Sequence, residues 1–397
     1  MSIVLLKPGH VRPVFAGHPW VFQQAIASLS GGPIAGDDVQ VVDPTGKVLG
    51  HGLYSPRSAI AVRMFSRTDR PVDAALFRER ILRAKRLRES LGLPRLGETN
   101  GYRLVHGEGD LLPGLIVDVL GDVAAVQLNT LGVKQREGVI FEALHEVLGP
   151  RAILDRTSES AARMEGVQAG SGVVRGDAKV DRLTFMERGF SYDLPISIGQ
   201  KTGFYFDQRE LRARVEAHAR GKTVLDAYSF VGAFSLAAAR GGARRVVAVD
   251  QSAVAVELAA EISRRAGYEK IIETVKQDAV RALDDASAEG GFDIVLVDPP
   301  KLAPSRAKLE AALNAYRKIA RAACRATKPG GLLVMSSCSG AVAVEDLIRA
   351  LALGARDANL DATVLERHVQ ASDHPVPSAF PEGLYLKSVI ASVDVVR

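Results

Sequence analysis

The sequence has few of the features that mark secreted or membrane proteins. Among its 397 residues only two are cysteines, Cys324 and Cys338, which is too few for a disulfide framework. No stretch approaches the roughly 20 consecutive apolar residues that a membrane-spanning helix requires. The first ten residues also lack the long apolar run of a secretory signal. The sequence therefore predicts a globular protein of the reducing cytoplasm with no membrane partner.

The overall excess of charge is small, but basic residues are concentrated in two stretches. The chain carries 51 Lys and Arg against 46 Asp and Glu, a net charge of +5, which permits a polyanionic partner without requiring one. Basic residues are densest between Arg78 and Arg88, and a second series runs from Arg317 to Lys328. Each stretch is either a solvated helix face or a nucleic-acid contact, and the sequence leaves both interpretations open.

The N-terminal half predicts two small domains. Short β-branched runs separated by Pro and Gly over the first 70 residues indicate a β-rich domain. A helix over 73–91, a hairpin over 114–128, a helix over 134–147 and a short strand after it indicate an α+β domain. Residues 166–176 are predicted to form a loop. The expected domains are 1–70 (β-rich), 71–185 (central α+β) and 186–397 (catalytic).

From about residue 223 the pattern becomes an alternation of strands and helices. Near-continuous apolar strands joined by helices indicate a parallel sheet covered on both faces. The predicted strands are 224–227, 245–250, 271–275, 292–298 and 331–336. Two further strands, 363–369 and 384–396, follow without a helix between them. This ending is typical of the methyltransferase variant of the Rossmann-like α/β fold, and not of nicotinamide-binding domains.

Acidic residues stand at the ends of three successive strands, where ligands bind in open α/β sheets. The turn after the first strand contains one glycine, Gly232, and lacks the G-x-G-x-x-G pattern that a pyrophosphate needs. S-adenosylmethionine has no phosphate, so this looser turn is sufficient for it. Asp226 lies at the first strand, Asp250 is placed to accept hydrogen bonds from ribose hydroxyls, and Asp278 from an adenine amino group. Capping of the following helices is the alternative role for such residues.

Aromatic residues in the segment 202–210 precede a predicted helix. They are expected either in the core or as a lid beside the cofactor. Asp207 and Glu210 have the spacing of a capping box, which gives them a purely structural interpretation.

The fourth strand ends in Asp298-Pro299-Pro300-Lys301, a stiff turn that would hold a planar base against the carboxylate. The acid and prolines alone do not choose the base, because enzymes that methylate purine amino groups use related turns. Cys338 follows the fifth strand, which is expected beside the fourth, so both side chains can face one pocket. Cys324 lies in a helical run and is expected to be structural.

A thiolate at Cys338 suits methylation of carbon 5 of a pyrimidine. Addition of the sulfur to carbon 6 breaks the aromaticity of the ring and makes carbon 5 nucleophilic. Asp298 would stabilise the charge that develops on the base. The alternative for Cys338 is a small buried hydrophobic residue.

Several stretches together resemble the large-subunit (23S) ribosomal RNA cytosine-5 methyltransferases, which combine a PUA domain, a small EEHEE domain and a Rossmann-like methyltransferase domain. The stretches span nearly the whole chain: 107–118, 202–210, 226–234, 298–301, 336–340, 373–375 and 380–387.

The resemblance implies an N-terminal RNA-binding PUA domain and a ribosomal RNA substrate, and it leaves the oligomeric state open between monomer and homodimer. It implies Cys338 as nucleophile, Asp298 as the acid of the pocket, and S-adenosylmethionine as cofactor. Predicted cofactor-binding residues are Phe206, Arg209, Asp226, Tyr228, Ser229, Gly232, Asp250, Gln251, Ser252, Asp278 and Ala279. Predicted substrate-binding residues are Pro299, Pro300 and Lys301. No metal site is predicted.

The chain departs from the family pattern at Leu302, where members often carry an aromatic residue that could stack on the target base. It also lacks the second cysteine that many RNA cytosine-5 methyltransferases have in the fourth motif. Two alternatives stay open: a purine amino-methyltransferase that does not need Cys338, and a non-catalytic RNA-binding assembly factor. A dehydrogenase is disfavoured by the missing glycine pattern and by the two final strands.

Overall fold

The computed structural model describes residues 2–198 and 202–396, without the side chains of Ser160 and Ala161. The chain divides into two compact units. The first comprises Met1–Phe206 and Ser372–Gly383, and the second comprises Asp207–Ala371 and Leu384–Arg397. Among the described helices, none combines the length and the apolar character needed to cross a bilayer.

The first unit begins with a six-stranded sheet in the order β2-β6-β5-β4-β1-β3. Alternate residues such as Val4, Leu6, Val39 and Val41 point into its core and are fully buried. The small β-rich N-terminal domain expected from the sequence is confirmed. Its elements are β1 (Ser2–Leu6), α1 (Val11–Ala16), β2 (Trp20–Phe22), β3 (Ile26–Ser30), β4 (Asp38–Val42), β5 (Val48–Tyr54) and β6 (Ile60–Ser66).

A five-stranded sheet in the order β11-β10-β9-β8-β7 follows. Its elements are α2 (Ala74–Ser90), β7 (Gly101–His106), β8 (Leu115–Leu120), β9 (Val123–Leu128), α3 (Leu131–Lys134), α4 (Glu137–Leu148), β10 (Ala152–Asp155), α5 (Glu159–Glu165) and β11 (Gly172–Gly176). The helix α2 begins where the sequence predicts, because the Asp73 side chain accepts a hydrogen bond from the Leu76 amide at 2.8 Å. The predicted hairpin is confirmed by the antiparallel pairing of β8 with β9.

One loop prediction is wrong: part of the segment 166–176 forms the edge strand β11, which pairs antiparallel with β10. An edge strand needs a partner on one side only, and none of the five residues of β11 is fully buried. Its sequence therefore lacks the apolar pattern of an interior strand, which explains why the pattern suggested a loop.

A two-stranded hairpin of β12 (Arg182–Glu187) and β13 (Phe190–Pro195) completes the first unit. It spans the boundary at residue 185 that the sequence suggested between the central and catalytic domains. The three-domain division stays a prediction.

The second unit is built on a seven-stranded sheet in the order β16-β15-β14-β17-β18-β20-β19. Its elements are α6 (Arg209–His218), β14 (Thr223–Ala227), α7 (Ala233–Arg240), β15 (Arg245–Asp250), α8 (Ala253–Arg265), β16 (Ile272–Lys276), α9 (Ala279–Ala288), β17 (Phe292–Val297), α10 (Leu309–Ala326), β18 (Thr327–Ser337), α11 (Val344–Asp357), β19 (Leu360–Val369) and β20 (Lys387–Val395). The strands β14 to β18 are parallel, and β20 is antiparallel to both of its neighbours. The predicted Rossmann-like fold with a final antiparallel pair is confirmed, and its strand order reverses beside β14, where ligands bind in such sheets.

Candidate active site

The loop after β14 has a strained backbone. Tyr228 and Phe230 have φ values of 72° and 50°, and Gly232 follows with 78°. A left-handed conformation costs a non-glycine residue about 1–3 kcal/mol, and such residues cluster at ligand-binding sites. The hydroxyl of Ser229 in the same loop is buried and has no hydrogen-bond partner within the described residues. A buried hydroxyl of this kind suits a ligand with polar groups.

Two of the predicted acids fix this loop to the sheet. The carboxylate of Asp226 accepts hydrogen bonds from the amide and hydroxyl of Ser235, at 3.1 and 2.7 Å. Burial raises the pKa of Asp226 to about 6, and the nearby charge of Asp250 contributes in the same direction. Asp250 accepts from the Phe230 amide at 2.9 Å through one oxygen and from the Ser252 amide at 2.8 Å through the other. The ends of β14 and β15 are thereby joined.

The third acid, Asp278, caps α9 by accepting a hydrogen bond from the Arg281 amide at 3.0 Å. The capping interpretation is therefore correct for this residue, and its second oxygen accepts no hydrogen bond from the described part of the chain. Asp278 also lies within electrostatic range of Tyr228, whose pKa is raised to about 12, mainly by burial and further by this charge. The three strand ends consequently form one group of acceptors around the strained loop.

The other predicted cofactor residues of these strand ends occupy the starts of helices. The Ser252 hydroxyl caps α8, Ala279 is buried at the start of α9, and Gln251 is exposed. The orphaned Ser229 hydroxyl, the available oxygen of Asp278 and the Asp250 carboxylate supply the acceptors that a nucleoside needs. This donor and acceptor set fits S-adenosylmethionine.

The segment before α6 differs from the sequence expectation. The Phe206 ring is buried in the first unit, with centroids 5.6 Å from Phe185 and 5.1 Å from Phe204. The expected capping box is absent from α6, whose N-cap residue, Gln208, makes no side-chain hydrogen bond to the helix itself. Asp207 instead accepts a hydrogen bond from the Tyr385 hydroxyl at 2.6 Å. Cofactor contacts of Phe206 and Arg209 stay predictions.

The two predicted catalytic residues follow adjacent parallel strands. Asp298 comes directly after β17 and Cys338 directly after β18, and Val297 lies opposite Met335 in the sheet. The Asp298 carboxylate accepts a hydrogen bond from the Gln208 amide group at 2.9 Å.

The two loops that carry these residues are bonded to each other. The Ala303 amide donates to the Ser339 hydroxyl at 3.1 Å. Between Asp298 and Ala303, Pro299 is buried, whereas Pro300 and Lys301 are exposed. The side chains of this turn are therefore held beside the Cys338 loop with Lys301 directed to solvent.

A buried tyrosine of α10 lies beside the Cys338 loop. Tyr316 of α10 is fully buried and donates to the Ser337 hydroxyl at 2.8 Å. Burial raises its pKa, and the charges of Cys338 and Asp298 add to this effect. Tyr316 is thus within electrostatic range of both predicted catalytic groups.

Lys387 of β20 is a buried cation beside the Cys338 loop. Its ammonium donates to the carbonyl oxygens of Ser339 and Tyr385, each at 3.1 Å. Burial lowers the pKa of Lys387, whereas the charge of Cys338 raises it. No role was expected for this lysine from the sequence, yet a lysine inside the apolar run of a strand is a signal that could have identified it.

The second cysteine has a different environment. Cys324 is fully buried in α10, and burial raises the pKa of its thiol to about 12. It is a packing residue, as expected.

The basic series on α10 is partly paired: Arg317 bonds Asp357 at 2.6 Å, and Lys328 lies 3.5 Å from Asp293. Within the described ranges, no group of three or more His, Cys, Asp or Glu side chains could hold a metal ion.

Comparison with known families agrees with this geometry. Residues 169–377 match the S-adenosylmethionine-dependent methyltransferase family, and residues 4–67 match a PUA-like domain. The fold and the strand-end loops therefore define a methyltransferase that uses S-adenosylmethionine, preceded by a PUA-like domain.

The relatives extend over the whole chain. The "Ribosomal RNA large subunit methyltransferase I" of Pseudoalteromonas translucida is 35% identical over 99% of this chain and 99% of its own length. That of Shewanella denitrificans is 36% identical over 98% of this chain and 99% of its own. The chain belongs to this family. A structure described as a putative SAM-dependent methyltransferase from Streptococcus mutans shares the fold, with a TM-score of 0.84 and 21% identity over 99% of this chain and 100% of that one.

Proposed function

We propose that this protein methylates carbon 5 of a cytosine in large-subunit ribosomal RNA, in the cytoplasm. The substrate class is supported by the names of the full-length relatives. The choice of carbon 5 rests on one observation: Cys338 and Asp298 follow neighbouring parallel strands, and Tyr316 lies within electrostatic range of both.

The strand ends of β14, β15 and β16 hold the cofactor, with Asp250 and Asp278 as the principal acceptors and the buried Asp226 fixing the loop through Ser235. When bound, S-adenosylmethionine supplies an electrophilic methyl group. The strained loop at Tyr228–Gly232 and the buried Ser229 hydroxyl complete this part of the site.

Asp298 orients the target base. Gln208 donates to its carboxylate and holds it in place, and we infer that this carboxylate accepts from the exocyclic amino group of a cytosine. The base must leave its stack to reach this position. Leu302 packs against the core instead of offering an aromatic ring for stacking, so the base is held mainly by Asp298 and the proline turn.

Cys338 is the nucleophile. Its thiolate forms a bond to carbon 6 of the cytosine, and the electrons of the 5,6 double bond make carbon 5 nucleophilic. After methylation, loss of the carbon 5 proton restores the double bond and releases the thiolate. The Lys387 ammonium lies beside the Cys338 loop and favours the thiolate form, because a nearby cation stabilises an anion.

The test is methyl transfer from labelled S-adenosylmethionine to unmodified large-subunit ribosomal RNA, with analysis of the nucleoside products. We expect 5-methylcytidine from the wild type and a loss of at least about a thousandfold in Cys338→Ala, because the covalent route is removed. Cys324→Ala removes the other thiol of the chain and is expected to retain the activity.

Retained activity in Cys338→Ala, or a methylated purine as product, would instead support a purine amino-methyltransferase that uses the Asp298 turn. Failure of the wild type to bind S-adenosylmethionine would support a non-catalytic RNA-binding factor.

A further inference from the structure

A cavity of about 440 Å³ in the first unit is lined by four arginines. Arg67 and Arg70 come from the segment after β6, whereas Arg80 and Arg83 come from α2. Cavities of this size are typical of small-ligand sites in proteins.

Three of the four remaining cations of α2 are engaged elsewhere. Arg78 bonds Glu146 at 2.6 Å, Lys85 donates to the Val147 carbonyl at 3.1 Å, and Arg88 forms a buried pair with Asp110. The basic helix noted in the sequence is therefore not uniform. Only part of it faces the cavity.

The charge of the cavity is poorly compensated. Arg70 pairs with Glu79 at 2.6 Å, but no carboxylate of the described residues pairs with the other three arginines. The Nε atom of Arg80 is buried without a hydrogen-bond partner in the described part of the chain. Burial lowers the pKa of Arg80, and the charges of Arg83, Arg70 and Arg67 lower it further, against the opposing charge of Glu79. His18 also lines the cavity, 3.7 Å from Glu382.

Guanidinium groups in such surroundings stay charged and repel each other until an anion binds. Their planar forks match the oxygens of a phosphate, to which they donate paired hydrogen bonds. We propose that this cavity binds backbone phosphates of the RNA substrate, with Arg80 and Arg83 as the principal donors. The identity of the ligand as RNA rests on the proposed function, whereas the affinity for phosphate rests on the cavity itself.

The test compares two double variants of the full-length protein. Arg80→Gln with Arg83→Gln removes two charges inside the cavity, whereas Arg78→Gln with Arg86→Gln removes two from α2 outside it. Binding of a labelled, unmodified fragment of large-subunit ribosomal RNA is measured over a range of KCl concentrations. Thermal melts establish that both variants are folded.

We expect the cavity variant to raise Kd about a hundredfold, roughly tenfold for each lost charge-assisted contact. The slope of log affinity against log salt should fall by about 1.4, since each phosphate contact to a single strand contributes about 0.7. The control variant should change Kd by less than about threefold. Equal weakening in both variants, or none in the cavity variant, would overturn the proposal.

Inorganic phosphate distinguishes RNA from a free anion as the ligand. Phosphate at constant ionic strength should raise the melting temperature of the wild type and not that of the cavity variant, and RNA should compete with it. Stabilisation by phosphate with unchanged RNA affinity in the cavity variant would contradict the assignment to RNA.

Methyl transfer separates this proposal from the proposed function. The cavity variant should show a raised KM for RNA with kcat retained. A wild type that forms no 5-methylcytidine but binds RNA through these arginines would refute the proposed function and support the cavity.

Discussion

The first unit contains two arginine clusters with opposite surroundings. In one, Arg88 is fully buried and bonds both oxygens of Asp110 at 2.5 and 2.8 Å. Beside it, Arg103 bonds both oxygens of Asp118 at 2.5 and 3.1 Å. Each of these cations faces its own carboxylate, whereas only Arg70 among the four arginines of the cavity pairs with a carboxylate of the described residues, Glu79. A structural cluster therefore differs from a ligand site in whether each arginine is paired with a carboxylate, and not in the number of arginines.

The cluster of Arg88, Arg103, Asp110 and Asp118 also gives a structural role to two of the stretches that carry the family resemblance. Asp373 accepts a hydrogen bond from the Arg103 amide at 3.0 Å, and its carbonyl accepts from Arg88 at 2.8 Å. His106 packs against His374 with ring centroids 4.9 Å apart, and burial holds the pKa of His106 well below its usual value. The stretches 107–118 and 373–375 therefore contribute to folding, because they join distant parts of the chain in one buried network.

The largest effect is expected from breaking the buried ion pair between Arg88 and Asp110. Asp110→Asn leaves the Arg88 charge buried without its carboxylate and should lower the free energy of unfolding by about 3–5 kcal/mol. The measurement is urea unfolding followed by the fluorescence of Trp20, the only tryptophan, which lies in the first unit.

Glu146→Gln is the matched control, because it removes the exposed partner of Arg78. It should cost less than about 1 kcal/mol. A cost of Asp110→Asn no larger than this control would show that the buried pair contributes no more than a surface pair.

Much of the second unit could be predicted from the sequence. Buried parallel strands are continuous apolar runs, so their ends locate Asp226, Asp250 and Asp278. The adjacency of the fourth and fifth strands then places Asp298 beside Cys338. These inferences succeed because they depend on local pattern and on a strand order common to the fold.

Other features depend on contacts between distant segments, which a single sequence does not reveal. Gln208 reaches Asp298 across 90 residues, and Lys387 reaches Ser339 across 48. The basic helix α2 could be recognised as basic, but its division into paired and unpaired cations required the positions of Glu146 and Asp110. The edge strand β11 was missed for a local reason, its lack of apolar alternation.

A second, smaller effect is expected at Asp226, a buried carboxylate that no described cation compensates. Its pKa is raised from 3.8 to about 6, so the native state favours the neutral acid. The contribution of the protonated Asp226 to the free energy of unfolding is complete below pH 3.8 and is lost as the pH rises through about 6. This shift corresponds to about 3 kcal/mol.

Asp226→Asn keeps an oxygen that can accept from Ser235 but does not titrate. Relative to this variant, the free energy of unfolding of the wild type should fall by about 2.4 kcal/mol between pH 4 and pH 7, measured by urea unfolding followed by circular dichroism. The exposed Asp284→Asn should show no comparable difference. A pH-independent difference between wild type and Asp226→Asn would refute the assignment.

The smallest effect concerns Lys387, a buried cation that interacts electrostatically with Cys338. Lys387→Met should lower kcat about tenfold near pH 7 and shift the pH profile of kcat/KM about one unit towards alkaline pH, since one pKa unit corresponds to about 1.4 kcal/mol. Lys387→Arg keeps the charge and should restore much of the rate and the original profile. Lys301→Met removes an exposed lysine of the same site and should leave the profile unchanged. A reduced rate with an unshifted profile in Lys387→Met would mean that this lysine only anchors the Ser339 carbonyl, because loss of a structural contact does not change the pH at which the nucleophile ionises.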